Sequence, residues 1–131
     1  MYLLDTDICI YIIRNNPVKV IEKVKGLLPH QIKLSAVSVA ELEYGVAKSN
    51  KREQNRIALL NFASSFDILP FTENDAEYYG QIRAFLEKAG KIIVPYDMQI
   101  AAQALSNNLI LVSNNIREFK RIPDIKLENW V

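Results

Sequence analysis

Hydrophobic positions along this chain change period several times, and each change marks an element. Residues 2–5, Tyr-Leu-Leu-Asp, form a short continuous apolar run that ends on an acid, the pattern of a buried strand. The stretch ICIYIIR (8–14) predicts a helix that Asn-Asn-Pro stops at Pro17. Beyond it, Val20, Ile21, Val24, Leu27 and Leu28 recur at helical spacing, with Pro17 suited to a first helical turn. IKLSAV (32–37) is a second strand pattern. It leads into a helix in which Ser38 and Glu41 have the S-x-x-E spacing of a capping box. REQNRIALLNFASSF reads as a further helix, and DILPF (67–71) as a short edge strand because Pro70 lacks a ladder donor.

The second half repeats the alternation. Thr72 caps a long amphipathic helix with Asp75 at its third position; Ala76, Tyr79, Ile82 and Leu86 line one face and Gly90 ends it. KIIV (91–94), Pro95 and DMQIAAQALSN (97–107) predict strand, turn and helix. LILVSNN (109–115) is the most strand-like segment, and IKLENW (125–130) adds a possible edge strand. Strands alternating with helices predict an α/β fold, with a parallel sheet covered on both faces. In such sheets ligands bind at the carboxyl ends of the strands. Asp5, Glu41, Asp97, Asn114 and Asn115 all follow predicted strands toward that edge.

Composition narrows the chemistry. The 131 residues suit one domain over 1–131, without repeats, linkers or low-complexity segments. Sixteen Lys and Arg against fifteen Asp and Glu leave a net charge of +1, so attraction to a polyanion has to be local. Cys9 and His30 are the only residues of their types. That disfavours a disulfide framework, a zinc site and a Ser-His-Asp machine. With no run of 18 uncharged apolar residues and no basic leader before Asp5, the chain reads as soluble and cytoplasmic.

Carboxylates gathered without His or Cys suit a hard cation, Mg²⁺ or Mn²⁺, and the chemistry such an ion supports on a phosphodiester. Each acid alone also has an ordinary reading. Asp5 and Asp7 can cap a helix, Glu41 can complete a capping box, Asp97 can sit at a helix start for its dipole, and Asn115 can close a turn.

Four blocks taken together resemble the PIN-domain family, and within it the VapC-type toxins of bacterial toxin–antitoxin pairs: LLDTDICIYII, LSAVSVAELEYGVAKS, YGQIRAFLEKAGKIIVPYDMQIAAQALS and LVSNNIREFKRIPDIKLENW. The resemblance spans nearly the whole chain. It implies a compact α/β/α sandwich around a parallel sheet of four to five strands, and metal-dependent endoribonuclease activity. Carried over by position, it makes Asp5, Glu41, Asp97 and Asn115 the catalytic set, with Asp5 and Asp97 as ligands of Mg²⁺ or Mn²⁺. Ser113 and the nearby Glu118 are accessory groups. It further implies a VapB-type antitoxin, a homodimer, and RNA as substrate, with transfer RNA a recurring target. Apolar positions such as Ile8, Ile12 and Ile13 would serve those interfaces.

The chain departs from the family pattern in places. Asp7 replaces the usual Asn of D-T-N, adding a carboxylate that can bind metal or raise a neighbour's pKa. Ser38 and Ser113 stand for Thr, Val94 for Gly and Gln103 for His. Phosphate grip would fall to Arg14, Lys48, Arg83, Arg117, Lys120 and Arg121, each of which also reads as solvated surface. Tyr11, Tyr44, Tyr78, Tyr79 and Trp130 could stack bases, although helical spacing places Tyr44 and Tyr79 in the core or at an interface. Two rival readings stand beside the nuclease. LLDTD also resembles the D-x-D opening of haloacid-dehalogenase-type phosphatases, without their later paired-acid block. A non-catalytic PIN scaffold would use the same acids for stability alone.

Overall fold

The computed structural model describes residues 1–131. In chain order it contains β1 (Tyr2–Leu4), α1 (Thr6–Ile13), α2 (Val18–Lys25), β2 (Ile32–Ser35), α3 (Ala36–Lys48), α4 (Arg52–Ala63), β3 (Asp67–Leu69), α5 (Glu73–Ala89), α6 (Pro95–Ser106), β4 (Ile110–Val112), α7 (Ile116–Phe119) and β5 (Leu127–Glu128). The five strands form one sheet in the order β3-β2-β1-β4-β5, and every neighbouring pair is parallel. Tyr2, Leu3 and Leu4 pair with Ile32, Lys33 and Leu34 on one side and with Ile110, Leu111 and Val112 on the other.

The α/β/α sandwich follows from the two-residue period of the strands. Leu3 and Leu111 point into one layer, packed with Ile82, Leu86, Met98, Ile100 and Phe119 from α5, α6 and α7. Leu4, Val112, Ile32 and Leu34 point into the other, against Ile8, Cys9, Val20, Leu59 and Phe62 from α1, α2 and α4. Ile8 is therefore fully buried core and not an interface residue. Trp130 also departs from the stacking role. It is buried, with its ring edge-on to Tyr2 at 5.3 Å between centroids. Tyr44, in contrast, is 66% exposed.

Two predicted elements are revised. The strand over 91–94 does not form. Its Ile-Ile-Val composition is strand-like, but Ile92 and Val94 are exposed and only Ile93 is buried. The segment instead joins two helices of one layer. Asp75 at the start of α5 accepts a hydrogen bond from Ser106 at the end of α6, so the two helices run antiparallel. The 90–94 connection thus lies at the end of the layer where α6 begins. Gly90 closes α5 in the left-handed conformation at φ 68°, and the Lys91 amide donates back to Leu86 O at 2.9 Å.

The second revision concerns the capping box at Ser38. β2 stops at Ser35, whose hydroxyl accepts from Val37 N at 3.0 Å, so α3 starts three residues early and Ser38 and Glu41 lie inside it. The box at Thr72 and Asp75 forms as the spacing predicts, with Thr72 N donating to Asp75 Oδ2 at 2.8 Å.

Candidate active site

The chain leaves β1 for β2 on one side of the sheet and later returns to β4 on the other, which makes the carboxyl ends of β1 and β4 the topological switch point. Asp5 follows β1 directly, and its own amide extends the ladder to Val112 O at 2.8 Å. Its Oδ1 accepts from Thr6 N at 2.8 Å, capping α1. Its Oδ2 accepts from the Ser113 hydroxyl at 2.8 Å, and that hydroxyl in turn accepts from Asn115 N at 2.9 Å. The helix-cap reading of Asp5 is correct, and the same carboxylate is held from β4.

Asp7 bridges the same two segments. Its Oδ1 accepts from Ile8 N at 2.7 Å and its Oδ2 from Asn114 N at 3.0 Å. Glu41 arrives from α3 with its Oε1 accepting from the Thr6 hydroxyl at 2.8 Å; that hydroxyl also lies 3.0 Å from the Ser38 hydroxyl. Thr6 is the residue that sequence reading missed. It belongs to the quoted LLDTD, but its partners lie more than thirty positions away.

Asp97 stands in the first turn of α6, where Pro95 opens the helix, and its carboxylate makes no hydrogen bond within the protein. Glu118 is held by Asn115, whose Nδ2 donates to Glu118 Oε2 at 2.9 Å. Asn115 thus reaches the site through Glu118.

These acids crowd one another. Burial, then the Asp7 charge, pushes the Asp5 carboxyl well above the usual carboxylate range, against the opposing bonds from Ser113 and Thr6; Asp97 adds to the rise. Burial also raises Asp7, opposed by the amides of Asn114 and Ile8. Asp97 is raised to about 6 by burial and then by the charges of Glu41, Glu118 and Asp7.

No three of the carboxylates close into a ready-made cage around one point. A Mg²⁺-type ion does not require one, since it keeps several waters and uses one or two carboxylates. The donor chemistry fits: all the donors are oxygens, and their mutual repulsion is relieved by a divalent cation.

Cations surround this cluster unevenly. Arg14 and Lys48 line a groove of about 560 Å³ between α1, α3 and α4, which also reaches Thr6 and Glu41. Ile13 lines it too. A second hollow of about 740 Å³ between α3 and α6 shares Glu41, Tyr44 and Lys48. Arg117 and Arg121 flank Glu118 in sequence and line a smaller hollow beside the 90–94 connection, whereas the exposed Lys120 lines neither groove nor hollow. Arg83 is engaged along α5, donating to Glu87 Oε1 at 2.8 Å and to the Tyr79 hydroxyl at 3.0 Å. Gln103 is fully buried. It accepts from the Ser35 hydroxyl and donates to Leu69 O and Pro70 O, tying α6 to the ends of β2 and β3.

Comparison with known proteins agrees with this architecture. The PIN domain model matches residues 2–125. The chain is 44% identical over 131 residues to Ribonuclease VapC2 of Rickettsia felis, covering 99% of this chain and 98% of that protein. It is 40% identical over 129 residues to the tRNA(fMet)-specific endonuclease VapC of Shigella flexneri, covering 98% and 97%. Among solved structures, VapBC2 from Rickettsia felis, bound to a DNA fragment from its promoter, superposes with a TM-score of 0.94 at 44% identity, covering 99% of this chain and 98% of that one. The five-stranded parallel sheet, the acids at its switch point and similarity along the full length agree: this chain belongs to the PIN-domain family, among its VapC members.

Proposed function

We propose that this protein is a metal-dependent endoribonuclease toxin of the VapC type that cleaves transfer RNA and is neutralised by a VapB-type antitoxin. One observation carries the reading: carboxylates of Asp5, Asp7, Glu41, Asp97 and Glu118, from four separate segments, meet at the switch point with the Asp5 and Asp97 pKa values raised. A protein that used these acids for stability alone would gain nothing from crowding them. Support comes also from the relatives, one named for cleavage of tRNA(fMet), and from a structural neighbour that is a VapBC assembly. The PIN match over residues 2–125 replaces the phosphatase reading of LLDTD. The whole chain acts as one PIN domain. No helix is long and apolar enough to cross a membrane; a toxin that cleaves transfer RNA acts in the cytoplasm, where its substrate is.

In this reading Asp5 and Asp97 would hold Mg²⁺ or Mn²⁺. When bound, the ion supplies Lewis acidity toward the phosphodiester and lowers the pKa of the attacking water. The protein does the positioning. Ser113 and Thr6 N fix both Asp5 oxygens, so the carboxylate is presented in one orientation. Glu41, aimed by the Thr6 hydroxyl, orients the attacking water through its other oxygen. Asn115 holds Glu118, whose charge acts on Asp97 and which assists through water. Asp7 clamps the loop after β4 to α1, and its charge adds to the effect of burial in raising the proton affinity of Asp5. Arg14 and Lys48 approach the substrate from the groove on the α3 side.

The test is cleavage of a transfer-RNA pool by antitoxin-free protein in Mg²⁺, Mn²⁺ or EDTA. Cleavage that requires the ion and is lost in Asp5→Asn, with the fold intact, is the expected result. No cleavage by folded protein with either ion would leave the scaffold reading, or a substrate outside that pool, in its place.

A further inference from the structure

Beside the acids lies a feature of opposite sign. The 90–94 connection and the segment after β4 enclose a hollow of about 390 Å³ lined by Gly90, Lys91, Ile92, Arg117 and Arg121. Three of these five residues are cationic, no carboxylate lines the hollow, and none of the three enters an ion pair. Its backbone is fixed: Gly90 takes the left-handed turn, the Lys91 amide is bonded to Leu86 O, and Arg121 Nη1 donates to Ile92 O at 3.2 Å.

Like charges held together without a counter-charge repel unless an anion joins them. The setting indicates which anion. Arg117 and Arg121 bracket Glu118, whose charge acts on Asp97, and the connection that carries Lys91 and Ile92 runs straight into Pro95 and Asp97. A nucleic acid strand whose scissile phosphate sits at the acids therefore brings a neighbouring phosphate within reach of the hollow. The acids repel the rest of the backbone, so cations next to them are where a polyanion has to be gripped. Ile92, 59% exposed, offers an apolar surface for a ribose or base.

We infer that Lys91, Arg117 and Arg121 form a subsite for a backbone phosphate of RNA adjoining the bond that is cut. This rests on the ribonuclease reading and deepens it, since it separates Arg117 and Arg121 from the other cations and adds Lys91.

The experiment follows transfer-RNA cleavage across a salt series, with Mg²⁺ or Mn²⁺ present, for three proteins: wild type, Lys91→Ala with Arg117→Ala, and the charge-keeping pair Lys91→Arg with Arg117→Lys. Each phosphate neutralised on a single strand contributes about 0.7 to the slope of log affinity against log salt. Loss of the two cations, and with them of this one phosphate contact, is expected to flatten the slope of log kcat/KM by about 0.7 and to raise KM roughly tenfold at physiological salt. The charge-keeping pair is expected to restore both. An unchanged slope, or a fall in kcat alone, overturns the subsite while leaving the nuclease standing. Absence of cleavage by the wild-type protein overturns the nuclease reading, and the subsite with it.

Discussion

Thr6 donates its hydroxyl proton to Glu41 Oε1 at 2.8 Å, joining the first turn of α1 to the middle of α3 across 35 positions of sequence. A carboxylate with one oxygen so held presents the other in a single direction. Thr6→Val keeps the shape and removes the hydroxyl. Its kcat is expected to fall by roughly 10- to 100-fold, the usual cost of losing a group that orients a site carboxylate. Thr6→Ser is expected to recover most of it, and thermal unfolding should show both variants folded.

Asp5→Asn should separate activity from stability. The amide can still accept from Thr6 N, but it carries no charge into a buried position beside Asp7. In EDTA the variant is expected to melt a few degrees above wild type at neutral pH while cleaving nothing, as stability often trades against function at strained sites. Melting below wild type would show that the Ser113 contact outweighs the repulsion.

The metal-free protein should lose stability as pH rises. Asp5 and Asp97 have folded-state pKa values above their unfolded ones, so between about pH 4 and the folded values the native state binds more protons than the unfolded chain. Their contribution is therefore complete at low pH and is lost as pH climbs through about 6 for Asp97, and higher for Asp5. Melting temperatures in EDTA from pH 5 to 8 measure this. Saturating Mg²⁺ or Mn²⁺ is expected to remove the decline, because binding favours the deprotonated carboxylates.

Asp7→Asn restores the amide found more widely in the family. The Asp7 charge is the second-largest cause of the raised Asp5 pKa, after burial, so removing it should lower the proton affinity of Asp5. The acid limb of the kcat/KM profile is expected to move to lower pH, while one acceptor for the Asn114 amide is kept. An unmoved limb would make Asp7 a clamp and nothing more.

Gln103→Ala leaves a cavity in the buried layer and removes the partner of Ser35, Leu69 O and Pro70 O. Urea unfolding should show a loss of about 2–4 kcal/mol. If kcat is retained in the surviving fold, Gln103 serves as a strut and takes no part in cleavage.

What could be read from the sequence was what depends on neighbouring residues. The Thr72–Asp75 box, the Gly90 stop and the acid after β1 are local patterns, and each appears as expected. Ser35 and Ser38 show the limit. Both precede helical spacing, and which one caps depends on where β2 stops pairing with β1 and β3, a fact of tertiary structure. Residues 91–94 are apolar enough for a strand, but the antiparallel pairing of α5 with α6 leaves that segment in a helix layer, and periodicity over four residues cannot detect this. Asn115 and Thr6 were in view as motif members, but their roles toward Glu118 and Glu41 exist only once distant segments meet.

The strand order has a consequence for synthesis. β1 leaves the ribosome first, yet it sits at the centre of the sheet and gains its second neighbour only when β4 arrives; the Ser113 hydroxyl that orients Asp5 is separated from it by 108 positions. Because such long-range pairing has to wait for the late segment, a growing chain carries its acids without an assembled site. A nuclease built in this order stays harmless to the ribosome-bound RNAs around it until β4 and Ser113 have been made, which leaves time for a co-synthesised inhibitor to meet it as it folds.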